Sequence, residues 1–144
     1  MAPGAGLVKR GENGRGLASR WYPETLKKRI LNIVALKDHF SFVSGDGMQL
    51  LAEHADRKDA LFFIDPPYTV AGRRLYTHSD VDHRRLFQLA DSLAGDFLMT
   101  YDDAIEVRWL AHRQRFQVRE IAMKSTHHTR KLELLIGRDL SWLD

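Results

Sequence analysis

The sequence predicts an α/β fold, a parallel sheet with covering helices, on three observations. Ala60-Leu61-Phe62-Phe63-Ile64 is a short continuous apolar run that stops abruptly at Asp65, the pattern of a strand buried on both faces. Asp96 to Tyr101 reads as a second strand. Between them Leu86, Ala90 and Leu93 recur at helical spacing, and alternation of strand and helix is the signature of a parallel sheet.

The remaining elements follow along the chain. Residues 1–20 place Gly4, Gly6, Gly11, Gly14 and Gly16 among Lys9, Arg10, Arg15 and Arg20. Glycine raises the entropic cost of ordering, so this stretch reads as a flexible basic arm ahead of one domain over 21–144. Pro23 suits the first turn of a helix, and Leu26, Ile30 and Ile33 continue it at helical spacing. Phe40 to Val43 alternates like a strand and ends at Ser44-Gly45-Asp46-Gly47; Met48 to His54 reads as a short helix and Asp56 to Asp59 as a charged turn. Ser79 is placed as an N-cap with Asp82 three residues on, and Gly95 is placed to end that helix. Ile105, Trp109 and His112 mark a further helical stripe, with Trp109 read as core. Phe116–Ile121 and Lys131–Ile136 read as two final strands, adjacent and antiparallel.

The totals set bounds. A chain of 144 residues suggests one domain, and 44% hydrophobic with 28% charged residues is a globular mixture. The absence of cysteine excludes disulfides and thiolate metal sites. No apolar run approaches membrane-spanning length and no signal-peptide core is present, so a soluble cytoplasmic protein is expected. A net charge of +3 is compatible with a polyanionic partner.

Chemistry concentrates in Asp65-Pro66-Pro67-Tyr68. An aspartate directly after a buried strand lies at the carboxyl edge of the sheet, where open α/β sheets place ligands. Two prolines stiffen the segment and fix its carbonyl directions. The exocyclic nitrogen of adenine is a poor nucleophile because its lone pair is delocalised into the ring. A carboxylate accepting one N–H and a carbonyl accepting the other would draw that nitrogen towards tetrahedral geometry. Asp65 can supply the first acceptor and the Pro66 carbonyl the second, while Tyr68 can stack on the base. A strand ending in a simple turn is the alternative, since Asp-Pro is common in turns.

The surrounding residues extend the match. Trp21 to Leu26, Asp46 at a strand end, Leu61 to Tyr68, Tyr76 with Asp82-His83, Leu86 to Leu93, Gly95, Thr100-Tyr101-Asp102 and Glu133 to Ile136 form an ordered series that resembles the Dam-like (D12 class) adenine-N6 DNA methyltransferases. The resemblance covers about residues 20–140. It implies transfer of a methyl group from S-adenosyl-L-methionine to a flipped adenine in double-stranded DNA, in a prokaryotic or phage-infected cell. It implies Asp65, Pro66, Pro67 and Tyr68 as catalytic residues, Asp46 and Asp65 at the cofactor, and Tyr68 and Tyr101 around the base. Gly47 stands where the family often has phenylalanine. Tyr101 has a second reading as a tyrosine of the core rim. Arg73, Arg74 and Tyr76 would hold DNA phosphate, or form a solvated loop; His127-His128 with Arg130 and Lys131 have the same two readings. Neither cluster has metal-ligand spacing. His83 is read as structural.

The resemblance also implies a partial class I methyltransferase (Rossmann-like) sheet with flanking helices. The family sheet resembles the order 3-2-1-4-5-7-6, and the matched region begins near the third strand, so the first two strands are expected to be missing. No Phe-x-Gly-x-Gly-like loop precedes Asp65. Three readings follow: a second chain supplying the cofactor-binding half, a truncated or inactive remnant, or a small nucleic-acid-binding module. A small RNA base methyltransferase is a further alternative.

Overall fold

The structure, a computed structural model, describes residues 21–69, 80–124 and 130–143. It divides into two compact units, Met1–Ser44 and Gly45–Asp144.

In the first unit helix α1 spans Pro23–Ala35 with its proline in the first turn, as expected. It buries none of its residues: Ile30 and Ile33 are each 59% exposed. A short 3₁₀ turn, Lys37–His39, follows. Phe40–Val43 is not a strand, which corrects the expectation. An alternating pattern becomes a strand only when a neighbour takes its backbone groups. No described strand pairs with this segment, and Phe42 stands almost fully exposed.

Among the described residues the second unit is a four-stranded sheet with helices. Helix α2 spans Gly47–Glu53, strand β1 Leu61–Ile64, helix α3 His83–Ser92 and strand β2 Asp96–Asp102. Helix α4 spans Ile105–Arg113, strand β3 Gln117–Lys124 and strand β4 Arg130–Gly137. The sheet order is β1-β2-β4-β3. Strands β1 and β2 are parallel, with Ile64 opposite Met99. Strand β4 runs antiparallel to both β2 and β3, so the sheet is mixed rather than wholly parallel.

Period-2 alternation along β2 sorts the residues. Phe97, Met99 and Tyr101 are buried, while Leu98, Thr100 and Asp102 are half-buried. Ile64, Leu134 and Ile136 lie on the buried side and join Leu86, Phe87, Ala90, Val107, Leu110, Ala111 and Phe116 in one core. The rings of Phe97 and Phe116 meet edge to face at 4.8 Å, a favoured aromatic arrangement. Strand β1 was expected to be buried on both faces, yet Leu61 is 75% and Phe63 67% exposed. Among the described strands β1 pairs with β2 alone, and only its Phe62 and Ile64 side packs against the core.

Local chemistry corrects three other expectations. Asp82 itself caps α3, accepting the Arg85 N–H at 2.9 Å; Ser79 lies outside the described residues. Gly95 does not end that helix, whose cap residue is Leu93. A side chain at Gly95 would strike the Ala60 carbonyl and come within 2.6 Å of the Arg57 carbonyl, so glycine there permits backbone to approach backbone. On α4 the buried face is Val107, Leu110 and Ala111. The Ile105–Trp109–His112 stripe is exposed, and Trp109 lies beneath the guanidinium groups of Arg113 at 5.0 Å and Arg84 at 5.9 Å.

Candidate active site

Strand β1 delivers Asp65 to the carboxyl edge of the sheet, and Pro66, Pro67 and Tyr68 continue from it as irregular backbone. Asp65 is exposed. Its Oδ1 accepts a 2.6 Å hydrogen bond from the Thr100 hydroxyl, at the length expected of a charge-assisted bond. Four residues on, Thr69 is held by the Asp102 carboxylate: its N–H donates at 3.3 Å and its hydroxyl lies 3.2 Å from Oδ2. Thr100 and Asp102 sit two apart on β2, hence on one face of the strand.

Tyr68 is half-buried between these anchors. Its phenol pKa is raised well above the usual value, first by burial and then by the Glu133 carboxylate, which acts as charge and as hydrogen-bond acceptor; Asp65 and Asp102 add to the effect. An anion is disfavoured in such company, so Tyr68 presents a neutral ring.

A cleft of about 820 Å³ opens beside the segment. Asp65, Pro66 and Pro67 form part of its wall, and Asp46, Met48, Leu50 and Phe63 another part. Asp46 caps α2, accepting the Met48 N–H at 2.8 Å. Sequence reasoning placed Asp46 and Asp65 at one cofactor, and the fold brings both to one cleft. The volume falls within the range of small-molecule sites. The lining combines apolar side chains with the carboxylates of Asp46, Asp65, Asp80 and Asp82, acceptors for hydroxyl donors or for positive charge. A smaller polar pocket of about 290 Å³ lies by Thr69, Asp82, His83 and Glu106.

Tyr101 does not line either cleft. It is fully buried; its hydroxyl shares a 2.9 Å hydrogen bond with His83 Nδ1, and its ring lies 5.6 Å from that of Phe87. Burial pushes its phenol pKa up, with Asp102 and Glu106 adding to the shift. It is therefore a core tyrosine, and His83 is its partner at the first turn of α3. Arg73, Arg74 and Tyr76 lie outside the described residues, as do His127 and His128. Among the described residues no group of three or more His, Asp or Glu side chains could hold a metal ion.

Thr100, Asp102 and Glu133 belong to the matched series, but sequence reasoning gave them no role in the site. Alternation along β2 carried the signal for two of them, since it sets Thr100 and Asp102 opposite to the buried Tyr101. Comparison with known protein families matches no family model, and comparison with curated proteins matches none of them. No helix among the described residues is long and apolar enough to cross a membrane.

Proposed function

We propose that this chain serves methyl transfer from S-adenosyl-L-methionine to the N6 amino group of an adenine flipped out of DNA. The observation that carries the reading is the anchored Asp65-Pro66-Pro67-Tyr68 segment at the carboxyl end of β1, opening on a cleft shared with Asp46. The sheet supports it: β1-β2-β4-β3 follows the 4-5-7-6 end of the order that the resemblance implies.

The cofactor supplies an electrophilic methyl group when bound. Asp46 and Asp65 would hold it against the apolar wall of Met48, Leu50 and Phe63. The chain's own residues prepare the nucleophile. Asp65, with one oxygen fixed by Thr100, accepts one amino proton, and the Pro66 carbonyl accepts the other. Pulling both protons towards the acceptors pyramidalises the nitrogen and directs its lone pair away from the ring. Tyr68 stacks as a neutral phenol, worth about 1–3 kcal/mol per stacked base. Rigid placement matters because alignment of two reactants is the main source of acceleration here. A base inside a duplex cannot reach the segment, so flipping precedes transfer.

The reading includes a second polypeptide segment that completes the cofactor side. The unpaired edge of β1 among the described strands, with Leu61 and Phe63 exposed, supports this. The test is transfer of labelled methyl to adenine-containing DNA by the purified chain, alone and with the proteins that copurify with it from its own cells. Labelled N6-methyladenine in either form supports the reading. Its absence in both would leave the inactive-remnant reading in its place.

A further inference from the structure

We infer that Thr100 and Asp102 are the positioning residues of the Asp65–Tyr68 segment, a two-point clamp built on one face of β2. This rests on the methyl-transfer reading of that segment and names what holds it in register.

Thr100, Tyr101 and Asp102 close β2, and successive side chains on a strand face opposite ways. The middle residue goes inward, where Tyr101 is fully buried on Phe87 and bonded to His83 Nδ1. That anchors the end of the strand in the core. The outer two residues go to the other face and take hold of the neighbouring segment at both of its ends. Thr100 donates to Asp65 Oδ1 at 2.6 Å, and Asp102 accepts from the backbone and side chain of Thr69 at 3.3 and 3.2 Å. Parallel pairing of Ile64 with Met99 sets the register that makes the first contact possible.

The arrangement also has a cost that marks its purpose. Asp102 lies directly opposite Glu133 in the β2–β4 ladder, and like charges at facing positions are destabilising. The two carboxylates face the Tyr68–Thr69 end of the segment, Asp102 through its bonds to Thr69 and Glu133 as acceptor for the Tyr68 hydroxyl. With Oδ1 of Asp65 taken by Thr100, its second oxygen is oriented for the amino group. Proline at positions 66 and 67 makes the span between the clamps stiff, so fixing its ends fixes the carbonyl and the ring between them.

The experiment uses the full chain in the form that supports transfer. Thr100→Val removes the hydroxyl while keeping the shape, and is expected to lower kcat about 10- to 100-fold with the KM for S-adenosyl-L-methionine unchanged. Thr100→Ser restores most of the rate. Asp102→Ala is expected to speed hydrogen exchange of the Thr69 amide about 5- to 10-fold, the equivalent of one ordinary hydrogen bond, and to lower kcat in the same way. Asp102→Asn keeps an acceptor oxygen and most of the rate. Unchanged Thr69 exchange in Asp102→Ala, or unchanged kcat in both Thr100→Val and Asp102→Ala while Asp65→Ala is inactive, overturns the clamp and leaves the methyl-transfer reading standing. Unchanged transfer in Asp65→Ala overturns that reading, and the positioning role with it, whatever the amide shows. Loss of the β2–β4 amide pattern in Thr100→Val shifts the decision to Thr100→Ser, which must then retain both fold and rate.

Discussion

Arg138 should be the most consequential single charged side chain for the stability of the second unit. Its guanidinium donates to the Gly95 carbonyl at 2.7 Å through Nη1, and through Nη2 to the carbonyls of Asp91 at 3.0 Å, Ala90 at 3.2 Å and Leu93. The Ala90, Asp91 and Leu93 carbonyls lie at the C-terminal end of α3 and that of Gly95 just beyond it; the Ala90 carbonyl also accepts the Leu93 N–H at 3.4 Å. The same group lies 5.2 Å from the ring centre of Phe97 in the core. One nitrogen carries only two protons, so the three contacts of Nη2 count as about one good bond. Two charge-assisted bonds at about 1.5–3 kcal/mol each, taken at the lower end for partial exposure, give about 3 kcal/mol. A cation at a helix C-terminus adds about 0.3–1 kcal/mol. Arg138→Ala is therefore expected to destabilise by about 3–4 kcal/mol, a large share of the roughly 5–15 kcal/mol of an ordinary domain. Urea unfolding followed by far-ultraviolet circular dichroism would show a midpoint lowered by about 2 M. Arg138→Lys should recover less than half, because an ammonium cannot fork across the carbonyls. A midpoint within about 0.5 M of the parent for Arg138→Ala would show that these contacts contribute little to stability.

Three further outcomes follow from the same structure. Arg115, the residue after the Gln114 cap of α4, has φ 58°, a position that favours glycine; Arg115→Gly should raise stability by about 1 kcal/mol in the same unfolding assay. Gly95→Ala should destabilise by about 3 kcal/mol or more, since the carbonyls of Ala60 and Arg57 that it meets are backbone and cannot turn aside. The raised phenol pKa of Tyr101 means that the folded state keeps a proton that the unfolded chain sheds near pH 10. The contribution of this group should therefore be constant below about pH 10 and fall above it, by up to about 1.4 kcal/mol per pH unit; Tyr68 adds a fall of the same sign, so Tyr101→Phe should lessen the alkaline slope without abolishing it, and an unchanged slope would argue against a proton held by Tyr101.

What the sequence made legible was set by pattern strength. Leu86, Ala90 and Leu93 share one face of α3 and its end, and all three are buried. The two last strands pair antiparallel as their spacing suggests. The misreadings arise where one pattern serves two environments. Helix α4 carries apolar residues on two faces, and spacing alone does not separate Val107–Leu110–Ala111 from Ile105–Trp109–His112. An apolar run such as Leu61–Ile64 looks the same at a sheet edge as at its centre, because neighbours decide which faces are covered. Gly95 illustrates the same limit: a glycine after a helix suggests a cap, whereas here the constraint is the carbonyls of Arg57 and Ala60 from a distant stretch of chain. In the site, Asp65 and Asp46 were legible because each ends or starts an element. The clamp was not, since Thr100 and Asp102 acquire their roles only once β1 lies beside β2 in one register.

The role proposed for Asp65 is tested by methyl transfer in the Asp65→Ala variant beside the parent chain, with S-adenosyl-L-methionine binding followed by calorimetry on the same preparations. Labelled N6-methyladenine is expected to disappear in the variant while cofactor binding largely survives, because Asp65 would act chiefly on the adenine amino group and Asp46 and the apolar wall remain. Transfer at the parental rate in Asp65→Ala would contradict that role.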